Sequence, residues 1–206
     1  MRTLITAHAG AEGSRPNSES SLSQLKSLGA DILEVDVRLY RGSPVLAHDK
    51  ADAQALPLKE ALALLMDAPS LNVNLDVKEP GIAMKAYEAA VSAGFAGRFL
   101  FTGDVSREEA FSLRRLSAPL WFNEYLLDEA EKADPFAAIA RLGSPVLNIS
   151  KGRLTDSLLT LHAAALSVWT VDEEETLARL LKAGVRNITT RAPILALRLR
   201  ADIQGG

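Results

Sequence analysis

Short apolar runs rich in β-branched residues alternate along the chain with longer stretches whose apolar positions recur every three or four residues. The first run is Leu4-Ile5-Thr6-Ala7-His8. A helix is predicted from Asn17 or Ser18, both good N-caps, with Leu22, Leu25 and Leu28 at helical spacing and Gly29 as its stop. The second run, Ile32 to Leu39, leads through the turn Arg41-Gly42-Ser43 into a short extended segment, Pro44 to His48. After Pro57, Leu58, Leu62 and Leu65 mark one face of another helix. Further strands are predicted at 71–78, 99–102, 120–123, 146–150, 167–171 and 187–190, most followed by a helical pattern. A last helix opens at Pro193, a residue suited to a first helical turn.

Eight strand–helix alternations predict an α/β architecture, and eight such units close a barrel. The expected fold is a compact (β/α)8 TIM barrel forming one domain over residues 1–206. The chain is shorter than the roughly 250 residues typical of that fold, so its loops must be short. A doubly wound open sheet is the alternative, but no Gly-x-Gly-x-x-Gly follows the first strand, which weakens a dinucleotide-binding reading. No linker, low-complexity segment or strong internal repeat interrupts the alternation.

Composition narrows the partners. With 48% hydrophobic and 24% charged residues the chain is an ordinary globular one. A net charge of −3 argues against nucleic-acid binding, while a bound cation can still reverse the local sign for a phosphate ligand. The absence of cysteine excludes disulfides and thiolate metal sites. The opening residues lack a signal-peptide h-region, and no apolar stretch is long enough to span a bilayer. A cytoplasmic protein without stable membrane association is expected.

Barrel enzymes place their chemistry where strands end and loops begin. His8 closes the first strand here, and Glu34 and Asp36 share one face of the second, with Arg38 continuing that face. His48 and Asp49 end the segment after Pro44. Asn72, Asn74, Asp76 and Lys78 share one face of the third strand. Each residue alone has a plainer explanation: a histidine ending a strand, a solvated Glu-x-Asp face, a surface lysine before Pro80. Their joint placement near the ends of the first three strand regions favours a site. Three converging carboxylates repel unless a cation lies among them, which makes Glu34, Asp36 and Asp76 candidate ligands for a hard ion, Mg²⁺ or Ca²⁺. Two histidines supply proton transfer near neutral pH. His162, inside a helical pattern, reads as structural.

These residues resemble the glycerophosphodiester phosphodiesterases, within the phospholipase-C-like barrel phosphodiesterases. The family's His-Arg-Gly stands as His8-Ala9-Gly10, and Pro16-Asn17-Ser18 occupies the place of Glu-Asn-Thr. Gly29-Ala30-Asp31 precedes Ile32-Leu33-Glu34-Val35-Asp36-Val37, which is followed by Pro44-Val45-Leu46-Ala47-His48-Asp49. The family's Ile-Glu-Ile-Lys reads Leu75-Asp76-Val77-Lys78. Trp169-Thr170-Val171-Asp172 and the run Gly184 to Pro193 match the closing motifs. From Glu79 to about Leu166 only the strand–helix alternation carries the likeness.

The resemblance implies that His8 and His48 are an acid/base pair, that Glu34, Asp36 and Asp76 hold the metal, and that Lys78 faces a phosphate oxygen. It also implies that a substrate hydroxyl attacks phosphorus. Three departures stand out: Ala9 replaces the family arginine, Pro16 replaces a glutamate, and Asp76 is one methylene shorter than the usual glutamate. Arg38 or Arg15 is expected to replace the missing arginine. The segment from Lys50 to Ser70 leaves little or no room for a cap insertion. Trp169, Glu124 and Lys151, with Asn123 and Asn148, lie at or near later strand ends and are expected to contact the substrate. The expected activity is metal-dependent hydrolysis of a small-molecule phosphodiester with a polyol or sugar head group. The rival readings are a catalytically weak or inactive barrel that binds a phosphorylated ligand, motivated by Ala9 and Pro16, and a lysophospholipid phosphodiesterase with a more open pocket.

Overall fold

Local chemistry sets the element boundaries in the computed structural model, which describes residues 2–205. The first strand, β1 (Leu4–Ala7), is followed by α1 (Glu19–Leu25), β2 (Ile32–Tyr40) and β3 (Ser43–Leu46). Then come α2 (Leu58–Ala63), β4 (Asn72–Val77), α3 (Ala83–Ser92), β5 (Phe99–Gly103), α4 (Arg107–Arg115), β6 (Trp121–Asn123) and α5 (Pro135–Arg141). The chain ends with β7 (Val146–Ser150), α6 (Asp156–His162), β8 (Leu166–Trp169), α7 (Glu174–Ala183), β9 (Asn187–Thr190) and α8 (Pro193–Gln204). Ser18, Asp134 and Thr155 cap their helices by accepting hydrogen bonds from backbone N–H groups. Ser106 and Glu109 form a reciprocal capping box on α4. The Glu109 carboxylate also accepts from the N–H groups of Gly81 (3.0 Å) and Ala83 (2.7 Å), so one buried acid joins two helix starts. Helix α1 stops three residues before Leu28, in a turn that tightens ahead of the left-handed Gly29.

The strands pair in the order β5-β4-β2-β1-β9-β8-β7-β6, all parallel, with β3 added antiparallel to β2 as a hairpin. A parallel bridge between Phe101 and Leu120 joins the two ends of this order, and the Phe101 N–H donates to Pro119 O at 2.9 Å. The sheet is therefore an eight-stranded parallel barrel, and each barrel strand is followed by a helix. The segment between β3 and β4 holds only a loop and α2, without a cap domain. Among the described residues, no helix is long and apolar enough to cross a membrane.

Alternation along the strands divides the side chains into two sets. Outward residues such as Ile5, Val35, Leu75, Phe101 and Val168 are fully or almost fully buried in the layer beneath the helices. Inward, Leu4, Ile32, Leu100, Trp121 and Val146 form a separate apolar floor. Above that floor the interior turns polar: Thr6, Glu34, Asn74, Thr102, Asn123, Asn148, Ser167 and Asn187 are all buried. All but Glu34 are paired with one another, as in Thr6 Oγ1 to Asn187 Oδ1 (2.8 Å) and Asn148 Nδ2 to Asn123 Oδ1 (2.8 Å), which offsets the cost of burying them. His162 stacks on Phe136 with ring centroids 4.0 Å apart, away from the barrel mouth.

Candidate active site

At the C-terminal ends of the strands the barrel opens into a cavity of about 220 Å³. Its wall includes His8, Glu34, His48, Asp76, Lys78 and Trp169. Asp36 stands behind them with its side chain 2% exposed. The three carboxylates converge because the β2–β4 register sets Glu34 beside Asn74 and Asp36 beside Asp76. One oxygen from each of Glu34, Asp36 and Asp76 lies within 4.8 Å of the others.

Those carboxylates are held from several sides. The Asn17 side chain donates to Asp36 Oδ2 at 2.6 Å and accepts from the Asp36 N–H at 3.1 Å. Thr102 Oγ1 donates to Asp76 Oδ1 at 2.7 Å. Lys78 Nζ lies 2.7 Å from Asp36 Oδ1 and donates to Asp76 Oδ2. Asp36 Oδ1 is buried, and the Lys78 ammonium is the cation that faces it. Gly103 completes the support. Its φ is 88°, and a Cβ there would meet Val77 O at 2.1 Å and Asp76 Oδ1 at 2.8 Å, so only glycine lets β5 approach β4 so closely.

The charges show what the cluster lacks. Burial, reinforced by Asp76 and Asp36, holds the Glu34 carboxyl well above the usual range. Burial works against the Lys78 ammonium, but Asp76 and Asp36 outweigh it and hold that lysine firmly protonated. Three converging carboxylates that share a single ammonium fit a hard divalent cation.

The histidines flank this cluster. His8 Nδ1 lies 2.6 Å from Ala9 O, and a carbonyl only accepts, so Nδ1 carries the proton and Nε2 is left with its lone pair. Burial lowers the His8 pKa against the raising effect of the Ala9 hydrogen bond, with Arg191 adding to the lowering. His48 is more exposed and pairs through Nδ1 with Asp49 at 3.0 Å, which again leaves Nε2 as the free nitrogen.

Five of the expected substrate contacts sit differently. Arg38 does not line the cavity: β2 has run beyond the barrel into its hairpin, and the guanidinium donates to His48 O (2.9 Å) and faces Glu79 (3.5 Å). It props the His48 loop. Arg15 is exposed on a neighbouring groove that reaches His48 from outside. Glu124 follows the inward Asn123 and so turns outward, where it pairs with Arg153 at 3.2 Å in a separate hollow. Lys151 is bound to Glu173 at 2.5 Å outside the cavity. Lys78 lines the cavity, yet its ammonium is turned to the carboxylates. Trp169 lines it too, and its indole Nε1 is buried without a partner.

Among the residues of the wall that the sequence did not single out, three are ionisable: Asp104, Tyr125 and Arg191. The Tyr125 hydroxyl donates to Asp104 Oδ1 at 2.7 Å, and burial together with that carboxylate keeps the phenol protonated. Arg191 was findable by counting. It stands two positions past the inward Thr189, so the period of two points it at the barrel mouth.

No family model matches the sequence. A glycerophosphodiester phosphodiesterase of Caldanaerobacter subterraneus subsp. tengcongensis is 27% identical over 238 residues, covering 94% of this chain and 96% of that protein. Among solved structures, a glycerophosphodiester phosphodiesterase from Parabacteroides distasonis superposes with a TM-score of 0.77 at 19% identity, covering 98% of each chain. An Oleispira antarctica phosphodiesterase, in complex with its product sn-glycerol-3-phosphate, superposes with a TM-score of 0.75 at 17% identity, covering 96% of each chain. The resemblance to the glycerophosphodiester phosphodiesterases thus extends over nearly the whole length in sequence, and the fold is the same barrel.

Proposed function

We propose that this chain is a phosphoric diester hydrolase acting on a glycerophosphodiester-like small molecule with a polyol or sugar head group. The observation that carries the reading is the meeting of His8, His48, Glu34, Asp76 and Lys78 around one cavity, with Asp36 directly behind it. Similarity to a named glycerophosphodiester phosphodiesterase over 94% of the chain supports it.

His8 is suited to act as base, because its Nδ1 proton is committed to Ala9 O and burial keeps the ring neutral. A substrate hydroxyl attacks phosphorus and passes its proton to His8 Nε2. The bond from phosphorus to the leaving alcohol breaks, and His48 returns a proton to that oxygen. Water then opens the cyclic phosphodiester with the two histidines in exchanged roles. Glu34, Asp36 and Asp76 would hold Mg²⁺ or Ca²⁺, which when bound supplies positive charge for the non-bridging phosphate oxygens. Asn17 and Thr102 keep two of these carboxylates oriented.

The test is hydrolysis of a panel of phosphodiesters with and without added Mg²⁺ or Ca²⁺, in wild type beside His8→Ala and His48→Ala. Metal-dependent turnover lost in both variants is the expected result. Folded wild type that binds a phosphorylated ligand but turns over no diester would replace this reading with that of a binding protein. Preference for lysophospholipid over soluble diesters would change the substrate class.

A further inference from the structure

We propose that Arg191 is the phosphate-binding arginine of this cavity, replacing from β9 the guanidinium that Ala9 lacks on β1. The inference rests on the hydrolase reading only for the identity of the diester; the phosphate contact itself is independent of turnover.

Geometry singles out Arg191. The β1–β9 register pairs Ala7 with Thr190, so the next residues on the two strands, His8 and Arg191, emerge side by side at the barrel mouth. Arg191 is therefore one residue across and one residue along from Ala9. It is the one arginine lining the cavity among the described residues. The other cations near the mouth are engaged elsewhere: Lys78 with Asp36 and Asp76, Arg38 with His48 O and Glu79. Arg15 faces the outer groove.

Arg191 is also held ready. Asp172 Oδ1 accepts from the Arg191 backbone N–H (2.7 Å) and from Thr190 Oγ1 (3.2 Å), while Asp172 Oδ2 lies 3.4 Å from Arg191 Nη1. The Arg191 carbonyl accepts from the Glu12 N–H at 2.8 Å, and the Glu12 carboxylate accepts from the Ile194 N–H at 3.0 Å. The loops after β1 and β9 are thus laced together around the arginine. A single long contact from Nη1 leaves most of the guanidinium fork without a protein acceptor, and its side chain is 57% exposed. A planar fork with free N–H groups beside a neutral His8 matches the two non-bridging oxygens of a phosphodiester. Its charge already reaches His8 and Glu34. Asp172 is the positioning residue.

The experiment titrates inorganic phosphate into wild type, Arg191→Gln, Arg191→Lys and Arg15→Gln, with circular dichroism confirming the fold of each, and measures kcat and KM on the best diester. The expected result is phosphate binding about 10- to 100-fold weaker in Arg191→Gln. KM should rise to match with kcat changed far less, because a grip on the ground-state phosphate is uniform binding. Arg191→Lys should recover part of the affinity, and Arg15→Gln should bind as wild type does. Unchanged phosphate affinity in Arg191→Gln overturns the proposal, as does a wild type that binds no phosphate, or a loss confined to Arg15→Gln. Wild type without diester turnover whose phosphate affinity still falls in Arg191→Gln would sink the hydrolase reading and keep the phosphate site.

Discussion

On β4, Val73, Leu75 and Val77 face the helices and are fully buried, while Asn74 and Asp76, each one residue away, face the barrel interior. The same division runs through β2, where Leu33, Val35 and Val37 pack outward and Glu34 and Asp36 point inward. The outer layer is held by apolar burial, which tolerates hydrophobic swaps of similar volume but neither a change of volume nor an unpaired polar group. The inner layer is held by hydrogen bonds and charge pairing, so it depends on complete partner sets rather than on area. A barrel with an apolar floor and a well-packed outer annulus can carry this polar interior because stability and chemistry are placed on opposite faces of one strand. Gly103 is where the two meet: a Cβ there would strike both the β4 backbone and Asp76.

The sharpest break of that division should come from His8→Ala. Its kcat should fall by about 10²- to 10⁴-fold, with a melting temperature close to wild type, read by steady-state kinetics beside thermal unfolding. Loss of the fold in this variant would mean that the inner face is structural after all. Leu75→Ala is the converse. The side chain is fully buried, and its truncation should cost about 2–5 kcal/mol in denaturant titration, with kcat of the remaining folded protein near wild type.

Cation binding at the proposed Glu34, Asp36 and Asp76 site would tie the inner face to stability. At 100 times its Kd, Mg²⁺ or Ca²⁺ should add about 2.7 kcal/mol to the unfolding free energy. That gain should vanish in Glu34→Gln, whose carboxylate is part of the cluster. An equal gain in wild type and Glu34→Gln would place the cation elsewhere. The smallest effect is on pH dependence. In the proposed mechanism His8 is a base that works only when neutral, so activity should fall as His8 takes up a proton. Burial puts that step below the ordinary 6.5. The acid limb of kcat/KM should therefore have its midpoint below 6.5, and a midpoint above that value would show that the Ala9 hydrogen bond and Asp36 together outweigh burial at His8.

Periodicity alone located the eight barrel strands and the hairpin segment, because strand alternation and helix spacing are local properties of the chain. It also identified the residue types at strand ends from which the cavity is built. It misjudged Glu124, since placing a residue near a strand end does not say which side of the wall it takes; Asn123 points in, and its neighbour must point out. Arg38 has inward parity but lies beyond the barrel, where the β2–β3 hairpin has carried it away from the mouth. No spacing in the sequence relates Arg191 to His8, 183 positions earlier. The two become neighbours only because β9 returns to pair with β1 and closes the cylinder. Local pattern thus determined which residues form strands and which face each presents. Which strands lie side by side, and hence which charges share one small volume, followed from closure, because register between distant strands is a property of the packed barrel and not of any segment within it.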